Sequence, residues 1–538
     1  MIHVDPQTPL AQVRPDIMGM SAAVVSDHPL ATAAGSAVLA RGGNAVDAAI
    51  TMAAVLTVVR PHMCGVGGDA FLLIADAASG RVHALNGSGA AGSRASAGAL
   101  RARGLSSLPV YGAATVTVPG AVRAWADALA RFGTASLADA LVPAIRYARE
   151  GFPVTSRLML DLEEEHDRIA ADPGLRGVFL PGGDVPHAGE LVRQAPLAGT
   201  LERIARDGAD ALYQGEIAGA ILRHLGQDAL ITAGDLAAHA SEWSVPLASP
   251  FGNAQVLTAP PNSQGIALLL QLGIAEAAGV MGMIEDADAY VTTLAEGCRL
   301  ALATRDQHVA DPRHSRVPVG ELLDPEFLGS LASRIGARAS APRRRTGGAR
   351  GATGDTVYLG VIDRAGNAVS MIQSLFHAFG TGTTVPGTGI VLHNRGSAFT
   401  LEPGMPRTLA SGVRPYHTLA PVMVLAPDGS PWMVLGTPGG DAQTQTMTQV
   451  LLNRLLLGMT PQRAIDAPRW RVYGDSLFAT EERMPVRIRA RLHTAGFRVV
   501  ARPRSGEFGG AQMIERSRAT GARIAAADGR REGYAIAF

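Results

Sequence analysis

The spacing of apolar residues divides the chain into long helical stretches and a smaller number of strand pairs. Apolar residues recur every three or four positions between residues 29 and 57, where Gly42-Gly43-Asn44 interrupts the pattern and separates two predicted helices. The same helical spacing dominates from Val118 to about residue 245 and again from 285 to 337. Much of the chain before residue 338 is therefore predicted to be helical.

Strand pairs are predicted where apolar runs flank short turns. Residues 71–76 and 81–85 flank the turn AASG. Further along, residues 356–363 and 367–374 flank Arg364-Ala365-Gly366, a three-residue loop with Gly at the position that favours a left-handed conformation. These patterns predict two antiparallel hairpins.

The register of the second hairpin follows from its loop. Asp363 and Asn367 are the residues that flank the loop, so they are expected to pair. Counting back along both strands then places Thr356 opposite Ser374. Two hydroxyl side chains are thus predicted to meet at the open end of the hairpin.

The remainder of the chain continues this alternation of helices and strands. LAPVMVLA and PWMVLGT flank the turn PDGS, Gly439-Gly440 leads into a predicted helix from about 443 to 458, and the last forty or so residues have strand patterns. Long helical stretches beside two groups of antiparallel strands predict an α+β fold with the sheets inside. We find no internal repeat.

Two segments need a separate interpretation. Residues 339–355, rich in Gly, Arg and small residues, are predicted to form a flexible linker, and its Arg-Arg-Arg run fits a solvated loop better than nucleic-acid binding. Residues 265–284 approach the length of a membrane span, but Gln271 and Glu276 interrupt the apolar run. A buried helix is predicted there instead.

Composition narrows the classes of function. The chain has 538 residues, 47% of them hydrophobic, and a formal charge of +1, which gives no sign of a nucleic-acid or membrane partner. All its basic residues are Arg, which excludes mechanisms built on a phosphate-loop lysine, a Schiff-base lysine or a Ser-Lys pair. A small-molecule partner fits better.

The sequence indicates neither a metal, nor another cofactor, nor a disulfide framework. Cys64 and Cys298 lie outside any Cys-x-x-Cys arrangement, and the histidines lack spacing such as His-Glu-x-x-His. The N-terminal residues show no basic start followed by an apolar run. We therefore expect a cytoplasmic protein.

The joint between linker and strand suggests a specific chemistry. If the bond between Asp355 and Thr356 is cut, the Thr356 hydroxyl becomes a nucleophile whose base is its own α-amine, with a pKa of about 7.7–8.0. The turn at Gly439 and Gly440 leaves a strand and opens a helix, so its N–H groups are candidates for stabilising an oxyanion. On pattern alone, however, such a Thr is also an ordinary strand former and Gly-Gly an ordinary turn.

At these residues the sequence resembles the γ-glutamyltransferase family of N-terminal nucleophile hydrolases. The matching motifs run in order through nearly the whole chain and include HPLATAAGSAVLARGGNAVDAAI, VVRPHMCGVGGDAFLL, VPGAVRAW, PPNSQG, GDTVYLGVIDRAGNAVS, FGTG, RPYHTLAP and LGTPGGD. The GVGGD segment among them leads into a strand and not a helix, so we interpret it as a structural turn and not as a phosphate loop.

The resemblance implies a four-layer αββα sandwich, synthesis as one proenzyme and self-cleavage before Thr356. The products would be a large subunit of residues 1–355 and a small subunit of residues 356–538, which together form one αββα domain and an αβ heterodimer, with further dimerisation left open. Ser374 matches a family hydroxyl that hydrogen-bonds to the catalytic Thr, in agreement with the register above. The Gly439-Gly440 pair matches the family's oxyanion hole.

Departures from the family pattern bear on the substrate. Ser88 stands where glutathione-cleaving members have the Arg that holds the γ-glutamyl carboxylate, and Ala398 stands where they have the acidic residue that holds the amino group. Arg395 is assigned to substrate contact, over a surface or structural ion pair, because it belongs to a motif that lines the family's pocket. Its guanidinium can bind a carboxylate through two hydrogen bonds. The other new side chains at pocket positions are Phe376, His377, His417 and Thr418. Of these, the histidines are equally typical of hydrogen-bonded core residues.

The combination of motifs is most similar to the branch that contains oxamate amidohydrolase. We therefore expect hydrolysis of a small amide that carries a carboxylate, such as oxamate, with release of ammonia. Three alternatives stay open: γ-glutamyl hydrolysis or transfer through a different clamp, as with glutathione; a glutaryl- or cephalosporin-type acylase; and a noncatalytic relative that binds a ligand or partner in the same cleft.

Overall fold

The computed structural model describes residues 14–336, 355–474 and 476–538 of the chain. Apart from Asp355, the predicted linker 339–355 lies outside the described residues. Asp355 itself belongs to a strand, which begins one residue earlier than the sequence pattern indicates.

The described strands are short and mostly antiparallel. In chain order they are β1 (Ile17–Gly19), β2 (Ala23–Ser26), β3 (Asp69–Asp76), β4 (Arg81–Asn86), β5 (Phe152–Pro153), β6 (Leu191–Val192), β7 (Glu242–Ser244), β8 (Leu247–Phe251), β9 (Ala254–Thr258), β10 (Asp355–Ile362), β11 (Ala368–Phe376), β12 (Thr384–Val385), β13 (Ile390–Val391), β14 (Val422–Leu425), β15 (Pro431–Gly436), β16 (Trp470–Tyr473), β17 (Leu477–Glu481), β18 (Arg498–Arg502), β19 (Gln512–Arg516), β20 (Arg523–Ala527) and β21 (Tyr534–Ala537).

The α-helices range from single turns to 22 residues. In chain order they are α1 (Pro29–Ala40), α2 (Ala45–Val59), α3 (Ala97–Ala102), α4 (Ala121–Phe132), α5 (Leu137–Glu150), α6 (Ser156–Glu164), α7 (His166–Ala171), α8 (Pro173–Phe179), α9 (Ala195–Asp207), α10 (Asp210–Tyr213), α11 (Gly215–Leu225), α12 (Ala233–Ala237), α13 (Ile266–Ala277), α14 (Ala287–His308), α15 (Val319–Leu322), α16 (Pro325–Ala332), α17 (Ala442–Leu455), α18 (Pro461–Asp466) and α19 (Val486–Thr494).

Two seven-stranded sheets form the centre of the molecule. Sheet A has the strand order β1-β20-β19-β15-β14-β9-β8, and sheet B has the order β21-β2-β10-β11-β3-β4-β7. The strand pairs within both sheets are antiparallel. Sheet B therefore places the β10–β11 hairpin between strands from the beginning of the chain.

The sheets pack face to face and helices cover their outer faces. Between the sheets, Tyr358 and Ile372 of sheet B pack in one apolar cluster with Met423 and Val434 of sheet A. The other face of sheet B packs against α1, α2, α4 and α5, and the other face of sheet A packs against α13, α14 and α17. The fold is thus α+β, as the sequence pattern predicts, and it is a four-layer αββα sandwich, as the family resemblance implies.

The β10–β11 hairpin has the predicted register. Thr356 pairs with Ser374, and Asp363 N–H donates to the carbonyl of Asn367 at 3.0 Å. Gly366 in the loop has a φ of 93°, the left-handed conformation that its position predicts. Because β2 and β3 pair with the two sides of the hairpin, its backbone is held in the interior of the sheet.

The helical predictions for the first half of the chain are also confirmed. The two helices predicted between residues 29 and 57 are α1 and α2, and the apolar segment 265–284 contains α13, buried along most of its length. Among the residues that the structure describes, no helix combines the length and the apolar character needed to cross a bilayer.

Candidate active site

A short chain of hydrogen bonds lies at the start of β10. The Thr356 hydroxyl donates to Oγ of Ser374 at 3.1 Å, and the Ser374 hydroxyl donates to the carbonyl of Asp355 at 2.6 Å. Thr356 and Ser374 are each 1% exposed, so bulk water does not compete for these bonds. On the other side of the peptide bond, the Asp355 carboxylate lies 3.8 Å from Nη1 of Arg531. The uncut chain thus holds a hydroxyl beside the peptide bond that precedes it.

A β-bulge shapes the chain next to these hydroxyls. Asp355 pairs with Phe376 while Thr356 pairs with Ser374, so Leu375 is an extra residue in β11. The N–H of Phe376 donates to Oγ of Ser374 at 2.8 Å. Phe376 has a φ of 81°, a conformation that costs a residue other than glycine about 1–3 kcal/mol and persists only where the surroundings impose it.

Asp69 is the anionic centre of a buried polar cluster beside this hairpin, which we call the Asp69 cluster (Asp69, His393, Arg395 and His417). Asp69 is the first residue of β3 and pairs with Ser374. Its Oδ2 lies 2.9 Å from Nε2 of His417, 3.4 Å from Nδ1 of His393 and 4.0 Å from Nε of Arg395. Burial raises the pKa of Asp69, but these neighbours outweigh it and lower the pKa to about 2. Oδ1 has no hydrogen-bond partner among the described residues.

Both histidines of the Asp69 cluster are neutral near pH 7. Burial, reinforced by the charge of Arg395, lowers the pKa of His417 to about 3, and burial also lowers the pKa of His393. His417 therefore donates its Nε2–H to Asp69 and keeps a lone pair on Nδ1. His393 donates its Nε2–H to the carbonyl of Thr117 at 3.0 Å. The cluster thus contains one anion and one cation.

The guanidinium of Arg395 is fully buried, yet part of it lacks a partner. Nη1 donates to Oγ1 of Thr418 at 3.3 Å, and the guanidinium carbon lies 3.9 Å from the centre of the Phe376 ring. Nε and Nη2 have no hydrogen-bond acceptor among the described residues. Burial lowers the pKa of Arg395 to about 10, so the group stays charged at neutral pH. Two such donors on one edge of a guanidinium match the two oxygens of a carboxylate.

The other predicted substrate residues lie close to backbone and amide partners. Nδ1 of His377 accepts a hydrogen bond from the side chain of Asn394 at 2.8 Å, and burial lowers the pKa of His377 to about 4. The hydroxyl of Ser88 accepts a hydrogen bond from the side chain of Asn262 at 3.2 Å. The structure therefore brings His417 and Thr418 to Arg395, whereas amide side chains hold His377 and Ser88.

The turn predicted to stabilise an oxyanion has a backbone suited to glycine. Gly439 and Gly440 have φ angles of 129° and 56°, and their carbonyls accept N–H groups from the first turn of α17. The side chain of Gln264 connects this turn to the segment that contacts Arg395. Its Nε2 donates to the carbonyl of Gly440 at 2.9 Å and to that of Thr418 at 2.8 Å.

The sequence does not reveal two of the side chains that organise the site. Asp69 belongs to GVGGD, and the interpretation of that segment as a structural turn explains only its glycines: a Cβ on Gly68 would lie 2.5 Å from the carbonyl oxygen of Ser374. A signal is present, because a carboxylate at the start of an apolar strand needs buried partners. Gln264, in PPNSQG, gives no such signal, since the carbonyls it binds come from distant segments.

The chain as a whole is similar to known proteins over most of its length. The sequence profile of the family described as gamma-glutamyltranspeptidase matches residues 31–538. The glutathione hydrolase-like YwrD proenzyme of Bacillus subtilis is 39% identical over 456 residues, 84% of this chain and 85% of that protein. The oxamate amidohydrolase proenzyme of Klebsiella pneumoniae is 39% identical over 463 residues, 84% of this chain and 86% of that protein. The crystal structure of cephalosporin acylase from Bacillus halodurans superposes with a TM-score of 0.91 at 35% identity, covering 100% of this chain and 99% of that one.

Proposed function

Because the chain belongs to the gamma-glutamyltranspeptidase family, we propose that it is a proenzyme that cuts itself before Thr356 and then hydrolyses a small amide bearing a carboxylate. Family membership makes it an enzyme of the N-terminal nucleophile amidohydrolase class. The hydrogen-bond chain from Thr356 through Ser374 to the Asp355 carbonyl supports the proposal most directly. It puts a hydroxyl beside the bond to be cut.

Self-cleavage moves an acyl group from nitrogen to oxygen within one residue. Oγ1 of Thr356 attacks the carbonyl carbon of Asp355, while the hydroxyl of Ser374 stabilises the negative charge that develops on the carbonyl oxygen. The C–N bond then breaks, and the Thr356 nitrogen takes up the proton that the hydroxyl has lost. Water hydrolyses the resulting ester and yields two chains, residues 1–355 and 356–538.

The new α-amine of Thr356 acts as the base in turnover. It takes the proton from its own hydroxyl as Oγ1 attacks the carbonyl carbon of the substrate amide. The N–H groups of Gly439 and Gly440 stabilise the oxyanion, as preorganised donors do in acyl transfer. The proton passes to the leaving nitrogen, so that a primary amide releases ammonia, and water then hydrolyses the acyl ester on Thr356.

Arg395 selects substrates that carry a carboxylate. Its Nε and Nη2 donate to the two carboxylate oxygens, while Thr418 and the ring of Phe376 fix the plane of the guanidinium. A relative 39% identical to this chain is an oxamate amidohydrolase, and oxamate is a primary amide with a carboxylate on the adjacent carbon. Oxamate is therefore the first candidate substrate.

Asp69 supports a second candidate substrate, a γ-glutamyl amide. Its unpartnered Oδ1 belongs to the same buried cluster as the unfilled edge of Arg395. A carboxylate next to a guanidinium is able to bind the ammonium and the carboxylate of one amino acid through charge-assisted hydrogen bonds. This pair would replace the Arg and the acidic residue that glutathione-cleaving members have where this chain has Ser88 and Ala398.

Intact mass and ammonia release test the proposed function. The wild-type protein is expected to give two chains divided between Asp355 and Thr356 and to release ammonia from oxamate. Thr356→Ser, which keeps a hydroxyl, should also divide and turn over, whereas Thr356→Ala should remain one chain without activity. Division or turnover by Thr356→Ala would overturn the proposal.

The substrate candidates are separated by parallel assays on the mature protein. Ammonia from oxamate without release of aniline from a γ-glutamyl anilide supports the first candidate. Rapid release of the aniline, lost in Asp69→Asn, supports the second. A glutaryl amide serves as the third substrate in the same assay, because a solved relative is a cephalosporin acylase.

A further inference from the structure

The side chain and backbone of Phe376 connect the nucleophile to the carboxylate anchor. Its N–H donates at 2.8 Å to Oγ of Ser374, which in turn accepts the hydrogen bond of Thr356. Its ring centre lies 3.9 Å from the guanidinium carbon of Arg395. One residue therefore spans the region between the atom that attacks the amide and the group that holds the carboxylate.

The position of this ring is fixed by its surroundings. The backbone of Phe376 has a φ of 81°, and among the described residues other than glycine only Phe379 also has a positive φ. The ring of His377 lies 4.3 Å from the Phe376 ring, on the residue next to it, and His377 is held in turn by Asn394. A residue kept in an unfavourable conformation beside an active site points to a role for its side chain there.

We infer that the ring of Phe376 sets the length of the acyl group that the enzyme accepts. This inference rests on the proposed function, since it assumes that Thr356 attacks the amide and Arg395 holds the carboxylate. An acyl chain that joins the two must lie alongside the Phe376 ring. A two-carbon acyl group such as that of oxamate needs little space there, whereas a four- or five-carbon group needs the volume that the ring occupies.

A series of ω-amides of dicarboxylic acids tests this inference. Oxamate, succinamate and glutaramate carry the same amide and carboxylate at increasing separation, and ammonia release gives kcat/KM for each. In Phe376→Gly the ratio of glutaramate to oxamate turnover is expected to rise about 10-fold or more, because the pocket gains the volume of several methylene groups. Phe376→Leu should give an intermediate ratio. It keeps the inference testable if Phe376→Gly does not divide into two chains.

Phe379→Leu is the matched control, because Phe379 also has a positive φ but packs against Phe179 and His62. It should keep the wild-type ratio. If Phe376 variants that have divided into two chains also keep the wild-type ratio to within about two-fold, the inference is wrong while the proposed function stands. If the mature wild-type protein turns over none of the three amides, the proposed function fails and the inference fails with it.

Discussion

Arg395 is the residue on which the proposed choice of substrate depends. Replacement by Lys keeps the charge but removes the planar edge with Nε and Nη2 and the stacking on Phe376. We expect the KM of Arg395→Lys for oxamate to rise on the order of 10-fold or more, with a smaller change in kcat, because the lost hydrogen bonds are made to the carboxylate and not to the reacting amide. Steady-state ammonia release measures both constants.

Arg523→Lys is the matched control for that substitution. The guanidinium of Arg523 donates to the carbonyls of Met20 and Asp363, and Asp363 is at the loop end of the hairpin, away from Thr356. Its KM for oxamate should equal that of the wild type. An unchanged KM in Arg395→Lys would show that the carboxylate binds elsewhere.

At the scale of single residues, the sequence predicts contacts that arise from local geometry. It does not predict contacts that arise from the packing of distant segments. The pairing of Thr356 with Ser374 follows from counting residues around a three-residue loop, because antiparallel register is fixed by the turn. The contacts of Asp69 join residues more than 300 positions apart. No local pattern specifies such contacts. The sequence signals only that the Asp69 carboxylate needs buried partners, and the role of Gln264 becomes visible only in the folded chain.

Among the elements, strand β10 depends on a carboxylate at the position where its partner strand ends. β2 ends at Ser26, and the next residue, Asp27, accepts the N–H of Tyr358 at 2.7 Å and the side-chain N–H of Gln512 at 2.7 Å. Burial raises the pKa of Asp27 from 3.8 to about 6, against the opposing effect of the Tyr358 N–H and of Arg60. The segment that starts with Thr356 is thus held by a carboxylate that is costly to ionise.

The free-energy cost of ionising Asp27 makes the stability of the folded protein depend on pH. Since the folded pKa of Asp27 exceeds the unfolded value, its contribution to stability is fully present below about pH 4 and is lost as the pH rises through about 6. A pKa difference of about two between the folded and unfolded states corresponds to about 3 kcal/mol. The side chain introduced by Asp27→Asn does not titrate, so this loss is absent in the variant. The melting temperature of the variant minus that of the parent protein should therefore be larger at pH 7.5 than at pH 4.5.

The comparison is best made in a Thr356→Ala background, where both proteins are expected to stay one chain and to unfold as one chain. The amide introduced by Asp27→Asn keeps an oxygen for the N–H of Tyr358, so the backbone contact at β10 is retained. A difference in melting temperature that does not change with pH would mean that Asp27 titrates with an ordinary pKa in the folded protein.

For the whole molecule, the strand order of sheet B determines what happens after the proposed cut. β10, β11 and β21 belong to residues 356–538 apart from Asp355, whereas β2, β3, β4 and β7 belong to residues 1–355. In the order β21-β2-β10-β11-β3-β4-β7 the two groups alternate, so cutting one peptide bond removes none of the strand pairs.

We therefore expect the two chains to remain associated after self-cleavage. Native mass measurement and size-exclusion chromatography should find both chains in equal amounts in one particle, and they should separate only in denaturant, because separation requires breaking sheet B. Release of either chain under native conditions would contradict this prediction and the proposed division at Thr356 into two interleaved subunits.

The sequence pattern predicts sheets between helices, and the family resemblance implies four layers, but neither predicts the strand order. Helical and strand patterns predict sheets covered by helices because each element has one apolar face to bury. Which strands become neighbours depends on contacts between distant segments, such as β2 with β10 or β20 with β1. The position of the hairpin inside sheet B is therefore known only from the structure.

The interleaving of sheet B also constrains how the protein is made. The ribosome completes β2, β3 and β4 about 270 residues before it begins β10, which at about 5–20 residues per second is a delay of roughly 15–50 s. During that time β2 and β3 lack the central hairpin that later pairs with both, and exposed strand edges of this kind favour aggregation. Production of the large subunit alone should therefore give insoluble protein. In the single precursor chain, the β10–β11 hairpin is covalently connected to β2 and β3. The length of that connection sets the effective concentration of the hairpin near these two strands.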